Sequence, residues 1–155
     1  MKVVVADASP INYLILIDLL RRLYGRIVIP PEVLNELTAD GAPIAVRSWI
    51  ETRPDWIEIE AAPEGIAIDV VLDAGEAAAI RLALAEPQCL LLIDESEGRS
   101  VASKLGIPNT GTLGVLLQAA REGFVDLKPA LDNLQRTNFR VSRSLIAQIL
   151  SAHPG

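Results

Sequence analysis

The sequence predicts an α/β protein, a parallel sheet of four to five strands with helices on both faces. Three observations carry this reading. Val3-Val4-Val5-Ala6 and Leu90-Leu91-Leu92-Ile93 are short runs apolar at every position, as a central strand covered on both sides requires. Elsewhere apolar residues recur at spacings of three and four, the period of a helix with one buried face. Half of the chain is apolar and only 4 % is aromatic, which favours layered α/β packing over a sandwich or barrel rich in Tyr and Trp.

The elements follow in order. The first strand stops at Asp7, and Ser9-Pro10 reads as a helix start, with Ser9 as N-cap and Pro10 at the first helical position, where a missing N–H costs nothing. Ile11, Leu14, Ile15, Ile17, Leu19, Leu20 and Leu23 continue that helix toward Gly25. Arg26 to Ile29 is a short strand closed by Pro30. Pro31 opens a helix whose inward stripe is Val33, Leu34 and Leu37, with Glu36 on the edge of the stripe. After the Gly41 to Pro43 break a helix runs through Val46 and Ile50, and Trp56 to Glu60 alternates like an edge strand. Residues 61–72 have no clean period and read as a loop. Asp73 caps an Ala-rich helix that stops before Pro87. Beyond the second buried strand, a helix starting at Ser96 or Gly98 stops at Gly106. Ile107-Pro108-Asn109 is a short strand, Leu113 to Glu122 a helix, and two more helices cover Pro129 to Gln135 and, from the cap Ser142, Arg143 to Ser151.

Length and composition bound the function. A chain of 155 residues is one domain's worth, read as a single domain over 1–155. A net charge of −6 argues against a protein held on nucleic acid by bulk charge, while a local basic face remains open. Cys89 is the only cysteine, which excludes a disulfide framework and a cysteine zinc site; inside an apolar run it reads as a small buried residue. Met1-Lys2-Val3 lacks a signal-peptide layout, and no apolar run approaches the ~20 residues of a membrane span. The expectation is a soluble cytoplasmic protein with no membrane contact. His153 is the only histidine, so a Ser or Cys nucleophile has no evident base.

The chemistry rests with acids. Asp7 and Asp94 each end an apolar strand and point toward the crevice beyond the strand ends, where open α/β sheets bind ligands; Glu36 and Glu76 are helical carboxylates able to close around it. Two like charges ~4 Å apart repel by roughly 4 kcal/mol at an effective dielectric of 20, so such a cluster calls for a cation, and hard oxygen ligands suit Mg²⁺ or Mn²⁺. Divalent ions held this way activate water and neutralise a phosphodiester during hydrolysis. Each acid also has a plainer reading: a helix-capping role for Asp7 or Asp94, a solvated face for Glu36, a helix-dipole partner for Glu76. Among companions, Ser9 is either an N-cap alone or an N-cap that also hydrogen-bonds Asp7 or a metal-bound water. Thr110-Gly111-Thr112 is either a turn or a phosphate cradle at a helix N-terminus, and Arg99 either pairs locally or meets a substrate phosphate. Arg21, Arg22, Arg26, Arg136, Arg140 and Arg143 form a nucleic-acid track only if they cluster in space.

Taken together, Val5-Ala6-Asp7-Ala8-Ser9-Pro10, Ile29 to Leu37, Leu72-Asp73-Ala74-Gly75-Glu76-Ala77-Ala78-Ala79-Ile80 and Leu92-Ile93-Asp94-Glu95 resemble the PIN-domain family, and more narrowly its branch related to VapC toxin ribonucleases. Gly111-Thr112-Leu113-Gly114-Val115-Leu116-Leu117 also has a counterpart there. The resemblance runs from about residue 3 to 150. It implies a three-layer α/β/α, Rossmann-like fold and Mg²⁺- or Mn²⁺-dependent cleavage of RNA, often by the toxin of a toxin-antitoxin pair and often as a homodimer. By motif, the metal-binding and catalytic acids are Asp7, Glu36, Glu76 and Asp94; the residue reading above adds Ser9, Arg99, Thr110 and Thr112 as candidate substrate contacts. The chain departs from the family pattern at Glu76, where typical members carry Asp, and at Ile93, without the usual nearby threonine. The rival is a PIN-like module, weakly active or inactive, that binds RNA or a protein partner. A phosphatase is disfavoured because Asp7-Ala8-Ser9 lacks a second aspartate two residues on, and Gly111-Thr112-Leu113-Gly114 is no phosphate loop with a lysine.

Overall fold

Five short strands, β1 (Val4–Ala6), β2 (Ile27–Ile29), β3 (Ile57–Ile59), β4 (Leu90–Leu92) and β5 (Asn109–Thr110), pair in parallel in the order β3-β2-β1-β4-β5. The computed structural model describes residues 3–16, 23–24, 26–52, 55–65, 68, 72–137 and 139–152. Its helices are α1 (Ala8–Leu16), α2 (Pro31–Thr38), α3 (Ile44–Thr52), α4 (Ala74–Ala85), α5 (Ser96–Lys104), α6 (Thr112–Arg121), α7 (Leu127–Gln135) and α8 (Arg143–Ala152).

The three-layer arrangement follows from the pleat, which sends alternate side chains to opposite faces. Val4, Ala6, Ile27, Ile29 and Leu92 join Ile11 and Leu14 of α1, Val33 and Leu37 of α2, Val46 and Ile50 of α3, and Val115, Leu116 and Leu131 of α6 and α7 in one buried core. Val5, Val28 and Leu91 point the other way, onto Ala79, Ile80, Leu82 and Ala83 of α4 and Val101 and Ala102 of α5. Both faces of the central strands are thus covered, which is why those runs are apolar throughout. Cys89 is buried in the second core, as its apolar run implies. No helix of the described residues is long and apolar enough to cross a membrane.

Several boundaries differ from the sequence reading, each for a local reason. Helix α1 begins at Ala8, so Ser9 lies within its first turn and is not the N-cap; its hydroxyl is spent on Asp94. Strand β5 starts at Asn109 because the N–H of Ile107 is bound to the carbonyl of Ala102, finishing the turn that Gly106 (φ 75°) makes after α5, and Pro108 has no N–H to pair. Helix α7 starts at Leu127, two residues before Pro129, because proline is tolerated anywhere in a first helical turn. The cap predicted at Ser142 is present: its Oγ accepts the N–H of Leu145 at 3.0 Å. The readings at Ile17, Leu19, Leu20, Arg21, Arg22, Gly25 and His153 lie outside the described residues.

The sheet order positions everything that follows. From β1 the chain runs outward through β2 to β3, then returns to place β4 on the other side of β1. The carboxyl ends of β1 and β4 therefore flank the switch point, where open parallel sheets have a crevice.

Candidate active site

Asp7 and Asp94 stand at that switch point. Ala6 is in register with Leu92, and the N–H of Asp7 continues the ladder to the carbonyl of Leu92 at 2.9 Å. Asp94 comes two residues after the end of β4 and is the best-anchored acid of the group. Its Oδ2 accepts the Ser9 hydroxyl at 2.7 Å and the Thr112 hydroxyl at 2.7 Å, and its Oδ1 accepts the Thr112 backbone N–H at 2.6 Å. Donors from the first turns of α1 and α6 thereby fix its direction. Gly111 makes room for it: a Cβ there would lie 2.8 Å from Asp94 Oδ1 and 3.4 Å from the Ile93 carbonyl.

Asp7 is treated differently. It is only 5 % exposed, and its Oδ1 is buried with no hydrogen-bond partner. Burial pushes its pKa up from 3.8 to about 7; the Ala8 N–H pulls it back in part, and the charges of Glu36, Asp73 and Asp94 add to the rise.

Glu36 projects from α2 toward the start of α4, where its carboxylate occupies the space a Gly75 side chain would need and is hydrogen-bonded by the Gly75 N–H. Its pKa is raised by burial and by Asp73. Glu76 lies in the first turn of α4, is 7 % exposed, and reaches across to within 3.5 Å of where a Cβ on Gly98 of α5 would stand. Burial, a side-chain hydrogen bond to Asp73, and the charges of Asp73, Asp7 and Glu95 together push its pKa up to about 8. Glu76 also sits where the helix dipole favours an acid, in the first turn of α4.

These acids surround one crevice as neighbours. Among the described residues no three of them are close enough to ligate a single ion as placed. Their oxygens go to nearby donors: Asp94 to Ser9 and Thr112, Glu36 to the Gly75 N–H. Even so, the donor set fits a divalent cation. The oxygens are hard, burial and neighbouring acids raise the pKa of two of the carboxyls, and Asp7 presents a buried oxygen without a hydrogen-bond partner.

Other assignments resolve less uniformly. Thr112 is fully buried and spends both donors on Asp94, so it positions the acid and is closed to a substrate. Thr110, half-buried in β5, turns its hydroxyl against Gly114 in the first turn of α6. Arg99 extends toward Gly111 beside Asp94 without pairing to it and lines a cavity of about 700 Å³ that opens there. Asp73 is the residue the sequence undersold. It caps α4 by accepting the Glu76 N–H at 2.8 Å and also raises the pKa of Asp7, Glu36 and Glu76. Its place three residues before Glu76, at the same helix start, was the available signal. Asn12, whose buried Oδ1 lacks a partner, lines a smaller cavity of about 370 Å³ with Glu36; an asparagine within an apolar helical stretch was the only hint of it.

A parallel three-layer fold with acids at the carboxyl edge of its two central strands defines a class of α/β proteins whose site lies at the switch point of the sheet. Within that class the family model DUF3368, a PIN domain, matches residues 3–154, and the chain belongs to the PIN-domain family. None of the curated proteins searched matches it. PIN domains are generally nucleases and typically use divalent metals.

Proposed function

We propose that this protein is a Mg²⁺- or Mn²⁺-dependent endoribonuclease whose acids Asp7, Glu36, Glu76 and Asp94 hold the ion. The observation that carries it is the pair Asp7 and Asp94 at the switch point of the sheet, one with a buried unpartnered oxygen and the other clamped by three hydrogen bonds. A divalent ion there supplies charge to the attacking water and to the phosphodiester oxygens. The protein's own side chains do the rest. Ser9 and Thr112 keep Asp94 aimed into the crevice, the Gly75 N–H steadies Glu36, and Asp73 is hydrogen-bonded to Glu76. With pKa values raised to about 7 and about 8, Asp7 and Glu76 would give up protons in order to hold a cation.

The biological setting proposed with it is a cytoplasmic toxin of a toxin-antitoxin pair, acting as a homodimer, with RNA as substrate and a small antitoxin as partner. The support is the set of motifs shared with the VapC-related branch. The test is cleavage of single-stranded RNA with Mn²⁺ or Mg²⁺ by the wild type, Asp7→Asn and Asp94→Asn, with circular dichroism to confirm folding. Cleavage by the wild type and at least 100-fold less by each variant supports the reading; a folded wild type that leaves RNA intact, or cleavage that survives both changes, favours the inactive binding module instead.

A further inference from the structure

We propose that the cavity beside Asp94 is a subsite for one unpaired nucleotide of the RNA, its base on the Tyr13 and Phe139 rings and its phosphate between Arg99 and Arg140. The proposal rests on the ribonuclease reading and extends it to residues outside the acid group. The cavity, about 700 Å³, begins at Ser9, Asp94 and Gly111 and ends on the segment joining α7 to α8, at Phe139 and Arg140. That volume lies within the range of small-molecule sites and is ample for a nucleotide.

Its walls are those of a single-strand site. Tyr13 and Phe139 meet edge to face, ring centres 5.0 Å apart and planes at 76°, and both line the cavity while only partly buried. An aromatic pair offered to a cavity is a surface on which any unpaired base stacks. Arg99 and Arg140 line the same space, and among the described residues neither guanidinium has a hydrogen bond or an ion pair. Both are exposed at the rim of this one cavity, in a chain of net charge −6, where they can meet a phosphate from two sides. Burial raises the pKa of the Tyr13 hydroxyl, the Asp94 charge adds to the rise and the Arg140 charge opposes it, so both charges are felt at the ring. The rings and the arginines are suited to a stacked base and its phosphate, contacts that favour a single strand over a duplex.

The test uses a 5′-fluorescein octauridine RNA and the full chain, as wild type, Phe139→Leu, Phe139→Ala and the Arg99→Gln/Arg140→Gln double variant. Anisotropy in chelator reads binding, the KM of Mn²⁺-dependent cleavage reads it under turnover, and calorimetry with Mn²⁺ alone checks that the acids are untouched. Loss of the ring is expected to weaken binding about 5- to 100-fold, with Phe139→Leu guarding against a packing defect. The double variant is expected to raise KM and to flatten the dependence of log affinity on log salt by about 0.7 per lost phosphate contact. Wild-type cleavage with unchanged KM, anisotropy and salt slope in all three variants overturns the subsite and leaves the ribonuclease standing. A wild type that neither cleaves nor binds overturns the ribonuclease and the subsite with it, and equal affinity for duplex RNA overturns the stacking.

Discussion

Removing the charge of Asp7 should make the metal-free protein more stable at alkaline pH while abolishing its activity. Asp7 is 5 % exposed, and its pKa is raised from 3.8 to about 7. For an acid raised in the folded state the penalty is absent below pH 3.8, grows as the pH climbs toward 7, and is fully present above it. At 1.36 kcal/mol per pKa unit the whole rise corresponds to about 4 kcal/mol. Asp7→Asn, which resembles the protonated acid, is therefore expected to gain about 2–4 kcal/mol over the wild type at pH 8.5 in chelator, or roughly 4–16 °C in Tm for a chain of this size. At pH 4 the two should melt within about 1 kcal/mol of each other. Glu76, raised from 4.5 to about 8, leaves a residual downward slope with pH in the variant. Thermal melts followed by circular dichroism across pH 4–8.5 are the assay. An Asp7→Asn protein that melts below the wild type at pH 8.5, or a gap that does not change with pH, would refute the electrostatic picture of the site.

The anchoring of Asp94 gives a second expectation: Ser9→Ala and Thr112→Val each remove one charge-assisted hydrogen bond, lowering Mn²⁺ affinity or cleavage about 10- to 100-fold, and stability by about 1.5–3 kcal/mol. In combination they should fall short of additivity, because both act through one carboxylate; independent, additive losses would contradict this. Gly75→Ala places a Cβ against the flexible end of Glu36, so calorimetry should record weaker Mn²⁺ binding while Tm, helped by alanine's helix preference of ~0.8–1 kcal/mol, hardly changes. Gly111→Ala presses on Asp94 and also on the Ile93 carbonyl at 3.4 Å, which cannot swing away. Both Tm and Mn²⁺ affinity should fall there, and a variant matching the wild type in both would show that the close approach is unimportant.

The fold was largely legible in the chain because its signals are local and mutually consistent. The apolar runs ending at Asp7 and Asp94 identify the two central strands, and the order of strands and helices read from periodicity matches the order observed. What sequence could not supply were the long-range partners of individual donors. Ser9 ahead of Pro10 has the local chemistry of an N-cap, yet its hydroxyl goes to an acid 85 positions away. Thr112 had two local readings, turn or phosphate cradle, and the structure directs it to Asp94. The double role of Asp73 was hidden behind a correct local one, the cap of α4. The Tyr13 and Phe139 pair is far apart in the chain, and only the folded structure brings the two rings to one cavity.

The central claim, that these carboxylates form a divalent-cation site, is tested most directly by titrating Mn²⁺ into wild type, Asp7→Asn and Asp94→Asn at pH 7 in buffers of different ionisation enthalpy. Because Asp7 and Glu76 hold protons near neutrality, the wild type should bind the ion with a net release of protons, and both variants should lose that binding. Binding without proton release, or the same affinity in all three proteins, would contradict it.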